Sequence, residues 1–318
     1  MNIEPFLFTD AAVSDETRAF NAELRALLLA QPRTSTQTPQ RIREVRRSGD
    51  SWLGPVVHSH DARTIRIVGP GGDLDLRIIE PTTDPAGVYF HIHGGGWVLG
   101  ASDLSDIGNE AMARAANVAV VSVEYRLAPE YPFPAGFDDC VAAARWLIDN
   151  AEAEFGTDRL TIGGESAGAN LAAATLLATR DHGYSDWRGA NLVYGSYLPS
   201  GTPSVRHWDQ DGYVLDSDTM EWFADLYVGN VDVGFDDPRL APLYGDLAGL
   251  PPALFTIGTL DPLVDDTLFM AMRWEVAGNE ADVAVYPGGV HAFDAFPTEL
   301  GQSARERMHR FIAGAVST

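Results

Sequence analysis

Lysine is absent from this sequence, so each of the 22 cationic side chains among its 318 residues is an arginine. The arginines are outnumbered by 45 acidic residues, which gives a formal net charge of −23. A surface so poor in positive charge repels phosphate backbones and anionic lipids. We therefore expect neither nucleic acid nor a membrane as a partner of this chain.

Cysteine is almost absent as well, since Cys140 is the only one in the chain. A single cysteine excludes a disulfide within the chain. Because Cys140 lies in an apolar-periodic stretch at 137–148, we interpret it as a buried, inert thiol rather than a nucleophile.

Long hydrophobic runs are also missing. No segment is apolar over the roughly 20 residues that a helix needs to cross a bilayer. The first residues lack the basic and then apolar pattern of a secretory signal. We therefore expect a soluble protein of the cytoplasm.

The segments that are present alternate between strand-like and helix-like patterns. Short apolar runs predict buried strands at 88–92, 118–123, 159–163, 190–194, 253–257 and 283–286. Helical periodicity predicts helices at 106–116, 137–150, 169–180, 264–277 and 305–315. An antiparallel hairpin at 64–68 and 74–79 precedes them. This alternation predicts an α/β fold with a mostly parallel central sheet and helices on both faces.

Two segments do not fit the alternation, and we interpret them as a helical cap over the ligand edge of the sheet. Residues 1–50 are amphipathic, with a helix from Ser14 to Leu29 and breaks near Pro32 and Pro39. Residues 196–250 are too long for one crossover and mix aromatic residues with many aspartates. The core would then comprise residues 51–195 and 251–318. The alternative is that 196–250 forms a small domain unrelated to the site.

The segment Gly164–Gly168 has the pattern G-x-S-x-G, with Ser166 at its centre. It lies between a predicted strand and a predicted helix, and a serine on such a turn exposes its hydroxyl above the sheet. The flanking glycines permit a strained backbone and a close approach of helix and strand. Ser166 is therefore our candidate nucleophile.

A serine hydroxyl needs a base to take its proton and an acid to orient that base. His291 and Asp261 each follow a predicted strand, so both lie at the carboxyl edge of the sheet, where ligands bind in such folds. The chain order serine, acid, histidine matches a known template for such triads. We predict that His291 is the base and Asp261 the orienting acid.

Other residues of the same types are weaker candidates. Asp265 and Asp266 are alternative acids, but both fall in the first turn of a predicted helix, where they would stabilise the helix dipole. Of the other histidines, His58 and His60 lie in a polar loop, and His182, His207 and His309 are predicted to lie on the surface.

The glycine run in His93–Trp97 directly follows a predicted strand. Consecutive glycines let backbone N–H groups converge on one point, as an oxyanion hole requires. We predict donors at Gly94 and Gly95 and a third at Ala167, beside the nucleophile. His93 is expected to shape the loop by hydrogen bonding, and Gly96, Trp97 and Glu165 are expected to support the site.

Two other interpretations of this region are less favoured. A phosphate-binding loop would end in Lys-Ser/Thr or show the spacing G-x-G-x-x-G, and both are absent. His91 and His93 alternate along a strand and could suggest a metal, but no acidic or cysteine partner has ligand spacing. We therefore predict no metal site.

Together these motifs resemble the bacterial hormone-sensitive-lipase family, also called family IV, of α/β-hydrolase esterases. The segments that carry the resemblance are His93–Trp97, Gly164–Gly168, Asp261–Leu263 with Asp265, His291–Phe293, and Tyr125–Glu130 followed by Pro132–Ala135. Glu165 departs from the pattern, since the family more often has Asp or Thr there. The resemblance implies an α/β-hydrolase fold, a carboxylesterase acting on small-molecule esters with short to medium acyl chains, no cofactor, and a possible homodimer paired through the last strand and helix.

The mechanism predicted from these residues is two-step acyl transfer through an acyl-enzyme. An amidase or formamidase with the same triad is one alternative, because the motifs do not report the leaving group. A ligand-binding relative that has lost the base is another, and the presence of His291 argues against it. Acyl chain length depends on how the cap packs, which the motifs do not specify.

Overall fold

A computed structural model describes residues 3–208, 210 and 212–317. The strands are β1 (Arg63–Gly69), β2 (Gly72–Ile79), β3 (Gly87–Ile92), β4 (Val118–Val123), β5 (Leu160–Glu165), β6 (Gly189–Val193), β7 (Ala253–Leu260) and β8 (Ala281–Val290). The helices are α1 (Asp15–Leu29), α2 (Pro39–Ser48), α3 (Asp106–Ala116), α4 (Ala135–Phe155), α5 (Ala167–Asp181), α6 (Pro203–Arg206), α7 (Ser217–Val228), α8 (Val264–Val276) and α9 (Glu299–Ser317).

The eight strands form one sheet in the order β1-β2-β4-β3-β5-β6-β7-β8. The first two strands pair as an antiparallel hairpin, and β2 is also antiparallel to β4. All pairs from β4 to β8 are parallel. The predicted mostly parallel sheet and the predicted hairpin are therefore confirmed.

Apolar residues cover both faces of the sheet. Every residue of β3, β4 and β6 is buried, which explains why these strands are continuous apolar runs in the sequence. One face packs against α4, α5 and α8, and the other packs against α3 and α9. Helices therefore lie on both sides, as the alternation predicted.

Several element ends differ from the predicted ones. Strand β8 continues past the predicted end at 286 to Val290. It packs closely against β7, because a Cβ on Gly258 of β7 would lie 2.0 Å from the Gly289 carbonyl oxygen. Helix α9 begins six residues before the predicted start at 305, because a polar first turn hides its apolar period.

The N-terminal segment contains the predicted helix from Ser14. The Ser14 hydroxyl accepts a hydrogen bond from the Thr17 N–H and caps α1. The sequence predicted a break in the helical pattern near Pro39. Pro39 is itself the first residue of helix α2. Proline is accommodated in a first turn because the N–H it lacks would have no partner within the helix.

Two further predictions concern the single cysteine and helices that could span a membrane. Cys140 is fully buried, as predicted, and burial raises the pKa of its thiol, which disfavours the reactive thiolate. Among residues 3–208, 210 and 212–317, no helix has both the length and the hydrophobicity needed to span a membrane.

Candidate active site

Ser166, His291 and Asp261 meet at the carboxyl edge of the sheet, each directly after the last residue of its strand. His291 Nε2 lies 3.0 Å from Ser166 Oγ. His291 Nδ1 lies 2.8 Å from Asp261 Oδ2. The three residues that the sequence places in a triad thus form a continuous hydrogen-bonded relay.

The turn at Ser166 has the strained geometry expected of a nucleophile elbow. Its φ is +58°, a value that L residues rarely adopt. A Cβ on Gly164 or Gly168 would lie 2.1 Å or 1.9 Å from the Ile92 carbonyl oxygen. The two motif glycines are therefore required by the close packing of β5 and α5 against β3.

The acid of the relay also fixes the protonation of the histidine. Asp261 is fully buried, and its Oδ1 accepts a hydrogen bond from the Leu263 N–H at 2.9 Å. An ionised carboxylate can only accept, so the proton of neutral His291 is on Nδ1. Nε2 is then free to accept the proton of Ser166.

The alternative acids lie away from His291 and anchor the segment that follows β6. Asp265 Oδ2 accepts from the Ser204 N–H at 2.8 Å. Asp266 Oδ1 accepts from the N–H groups of Tyr197 and Leu198, at 2.8 Å and 3.0 Å. Asp261, and neither of these two aspartates, is the hydrogen-bond partner of His291 Nδ1.

Asp266 lies in the first turn of α8, as predicted, and it also binds residues outside the helix. The side chain is fully buried, and its Oδ2 also accepts from the Thr202 hydroxyl at 2.6 Å. Burial raises the pKa of Asp266 to about 7, although its hydrogen-bond donors act in the opposite direction. Its partners lie more than 60 residues earlier in the chain, so no local pattern indicates them.

The wall behind His291 contains residues that the sequence analysis did not identify. The Tyr194 ring contacts the His291 ring with centroids 4.7 Å apart. The Tyr194 hydroxyl donates to Asp294 Oδ1 at 2.6 Å, and burial raises the pKa of Asp294. Arg305 of α9 donates to the carbonyl oxygens of Asp294 and Phe296. These contacts fix the short turn on which His291 lies.

The glycine loop does not use its N–H groups as the sequence predicted. The Gly94 N–H donates to Glu165 Oε1 at 3.0 Å, so the structure does not support Gly94 as an oxyanion donor. Within the described residues, the N–H groups of Gly95, Gly96 and Ala167 make no hydrogen bond. Gly95 and Gly96 have φ values of +113° and +59°, which glycine adopts readily.

His93 stabilises this loop, as expected from the sequence. Its Nδ1 donates to the Gly94 carbonyl oxygen at 2.8 Å, and its ring stacks on Tyr125 at 4.2 Å. Burial lowers the pKa of His93, which favours the neutral ring. Within the described part of the chain, no three His, Cys, Asp or Glu side chains group as metal ligands.

Residues of the predicted cap pack directly on the glycine loop. The Trp97 ring stacks on Tyr227 of α7, with centroids 4.6 Å apart and planes 4° apart. A Cβ on Gly96 would lie 2.3 Å from the ring of Phe223, one helical turn before Tyr227. From α2, Arg43 donates to the Val98 carbonyl oxygen. Both predicted cap segments thus touch the loop beside Ser166.

A cavity of about 1390 Å³ opens onto Ser166 and His291. Its wall includes residues from α2 and α7, together with Glu165, Trp97 and residues of α3 and α9. His309, predicted to lie on the surface, is instead half-buried and lies in this wall, because its face of α9 is directed toward the cavity. The cavity is large enough for a small-molecule ligand beside Ser166.

Comparisons with known proteins agree with this geometry. Residues 89–295 match a family model described as the alpha/beta hydrolase fold. The chain is 32% identical to the carboxylic ester hydrolase LipN of Mycobacterium tuberculosis, over 89% of this chain and 71% of that protein. It is 37% identical to the ethyl acetate hydrolase of Pseudomonas putida, over 70% of this chain and 72% of that protein.

Solved structures show the same likeness. The hyperthermophilic esterase of the archaeon Pyrobaculum calidifontis superimposes with a TM-score of 0.84 at 30% identity, covering 99% of this chain and 100% of that chain. An ester hydrolase from the metagenome of Lake Arreo, solved with a bipyridine phosphonate derivative, superimposes with a TM-score of 0.84 at 31% identity. That alignment covers 96% of this chain and 100% of that chain.

Proposed function

Because the chain belongs to the hormone-sensitive-lipase-like, or family IV, esterases of the α/β-hydrolase superfamily and is a carboxylic ester hydrolase, we propose that it cleaves short- to medium-chain acyl esters with Ser166 as nucleophile. The observation that carries this proposal is the relay Ser166–His291–Asp261, with links of 3.0 Å and 2.8 Å beside a large cavity.

The reaction proceeds in two steps. In the first, Ser166 Oγ forms a bond to the ester carbonyl carbon while His291 Nε2 takes the hydroxyl proton. The tetrahedral intermediate expels the alcohol, which receives that proton, and leaves an acyl group on Ser166. In the second, water adds to the acyl carbon with His291 again as base, and the acid is released. Asp261 stabilises the charged form of His291 throughout.

The oxyanion is stabilised by backbone donors of the glycine loop and the elbow. We assign the N–H groups of Gly95, Gly96 and Ala167 to this role, because they have no partner among the described residues and line the same cavity as Ser166. Gly96 therefore replaces Gly94 as a proposed oxyanion donor. Each such donor is worth about 3–4 kcal/mol of transition-state stabilisation in comparable enzymes.

The proposed substrate range rests on the similar proteins. They include the carboxylesterase NlhH of Mycobacterium tuberculosis and the ethyl acetate hydrolase of Pseudomonas putida, whose name gives a short ester as its substrate. The side chains of Phe223 and Trp97 line the cavity and would contact such an ester. A homodimer paired through β8 and α9 stays a prediction.

Initial rates on nitrophenyl esters from acetate to palmitate test the proposed range. We expect kcat/KM to be highest for the short and medium chains, because a similar protein is named as a hydrolase of the short ester ethyl acetate. A maximum at the longest, insoluble esters would contradict the proposal. A matched amide measured beside its ester identifies the leaving-group class, and faster cleavage of the amide would favour the amidase alternative.

A further inference from the structure

The carboxylate of Glu165 joins the nucleophile's strand to the glycine loop. Its Oε1 accepts from the Gly94 N–H at 3.0 Å, and its Oε2 accepts from His91 Nε2 at 3.0 Å. Gly94 approaches closely, since a Cβ on it would lie 2.8 Å from the Glu165 carbonyl oxygen. The reaction steps above assign no task to this carboxylate.

Hydrogen bonds to His91 Nδ1 determine which ring nitrogen of His91 carries the proton. The Asn109 amide nitrogen lies 3.2 Å from His91 Nδ1, and an amide N–H can only donate. The Ser122 hydroxyl is 2.9 Å from the same ring nitrogen. His91 Nδ1 is therefore the acceptor, and the ring proton is on Nε2, directed at Glu165. The chain of contacts thus presents a donor to one oxygen of the carboxylate.

We propose that Glu165 is a positioning residue that holds the oxyanion loop in its working shape, with His91 as its support. Fixing the Gly94 amide fixes where the chain enters the turn at Gly95 and Gly96. The N–H groups of those two glycines can then converge near Ser166 Oγ. This inference rests on the proposed function, because it assigns a cause to the shape of the proposed oxyanion hole.

The electrostatic setting suits this role. An unpaired anion beside Ser166 would oppose the negative charge that develops on the substrate oxygen. Burial favours protonation of Glu165, but the donors from His91 and Gly94 outweigh it and lower the pKa of Glu165. The carboxylate therefore stays ionised with both oxygens engaged, and its charge is directed at donors rather than at the reaction.

Glu165→Gln is the variant that tests the proposal. A glutamine has one accepting oxygen and one donating nitrogen, so it satisfies either Gly94 or the His91 Nε2–H, but not both. We expect kcat for 4-nitrophenyl butyrate to fall by about tenfold to a hundredfold. This loss is no greater than that expected from removing one oxyanion donor. KM should stay within about twofold, since ground-state binding does not use the oxyanion hole.

Inhibition by a trifluoromethyl ketone with the same acyl chain distinguishes a loss of oxyanion stabilisation from a general structural defect. Its carbonyl carbon bonds to Ser166 Oγ, the carbonyl electron pair becomes an oxyanion, and the serine proton passes to His291. Its inhibition constant should rise by the same factor as kcat/KM falls. The matched alcohol, which forms no oxyanion, should bind as well as it does to the unmodified protein. Glu110→Gln, at a carboxylate of α3 that pairs with Arg114, is the control for loss of a carboxylate.

A second pair of variants tests the supporting role of His91. His91→Gln keeps a donor near Glu165 and should retain most of the activity, whereas His91→Leu should lose about as much as Glu165→Gln. The proposal is overturned if Glu165→Gln keeps its ketone affinity, or if ketone and alcohol binding weaken together with a fall in melting temperature. Failure of the proposed function is a separate result, because unmodified protein would then cleave no ester.

Discussion

The strand ends and the predicted cap position the residues around Ser166 in different ways. Ser166, Asp261 and His291 each directly follow a strand of one buried sheet, so the pairing of that sheet sets their separation. The opposite wall consists of α2 and α7, which touch the glycine loop through side chains such as Arg43 and Tyr227. Reactivity is therefore specified by short local motifs, whereas the shape of the cavity depends on packing between distant segments.

The largest expected effect lies on the strand-end side of this comparison. Ser166→Ala removes the nucleophile, and we expect kcat to fall on the order of a millionfold, as in other triads. Steady-state hydrolysis of 4-nitrophenyl acetate measures it. Ser317→Ala, at the exposed end of α9, serves as the control and should leave the rate unchanged. Substantial turnover by Ser166→Ala would remove this residue from the mechanism.

An intermediate effect is expected where the two regions touch. In Gly96→Ala the new methyl group would lie 2.3 Å from the Phe223 ring, and a φ of +59° disfavours alanine. The loop should shift away from Ser166, and kcat should fall by about a hundredfold, comparable with loss of one oxyanion donor. Gly314→Ala is the matched control, because open space surrounds that glycine in α9.

A second substitution separates packing from backbone strain at Gly96. Adding Phe223→Ala to Gly96→Ala removes the ring that the methyl group meets, so it should restore part of the lost kcat. Restoration would show that α7 shapes the oxyanion loop from the cap. If the double variant were no more active than Gly96→Ala, the contact with α7 would not control the loop, and the two regions would be independent.

The smallest effect concerns stability, at the aspartate that ties the cap to α8. The pKa of Asp266 is about 7 in the folded protein, against an ordinary value of 3.8. Folding therefore takes up a proton between pH 4 and pH 7, so this group's contribution to stability falls as pH rises through that window. The slope is at most about 1.4 kcal/mol per pH unit.

Asp266→Asn should remove that slope, because asparagine does not titrate and can still accept from Tyr197 and donate to Thr202. Urea unfolding of both proteins at a series of pH values gives the difference directly. Relative to the unmodified protein, the variant should become more stable as pH rises from 4 to 7. Parallel stability curves would show that Asp266 titrates in the folded state as it does in solution.

The sequence allowed a prediction of position for those residues that lie next to a local pattern, such as a glycine motif or the end of an apolar run. The elbow at Ser166 and the residues after β7 and β8 are marked by glycine and by the ends of apolar runs, so strand pairing brings them together. The acceptor of the Gly94 N–H lies 71 residues away, and the Asp266 contact with Tyr197 spans 69 residues. Such contacts depend on how separate elements pack, which no local pattern records.

Covalent labelling with a 4-nitrophenyl alkylphosphonate tests the central claim most directly. The phosphorus atom should bond to Ser166 Oγ with loss of nitrophenolate, at a rate that matches the loss of esterase activity. Mass spectrometry of the digested protein should then find a single adduct, on the peptide that contains Ser166. An adduct on another residue, or a protein that continues to hydrolyse esters without being labelled, would contradict the mechanism.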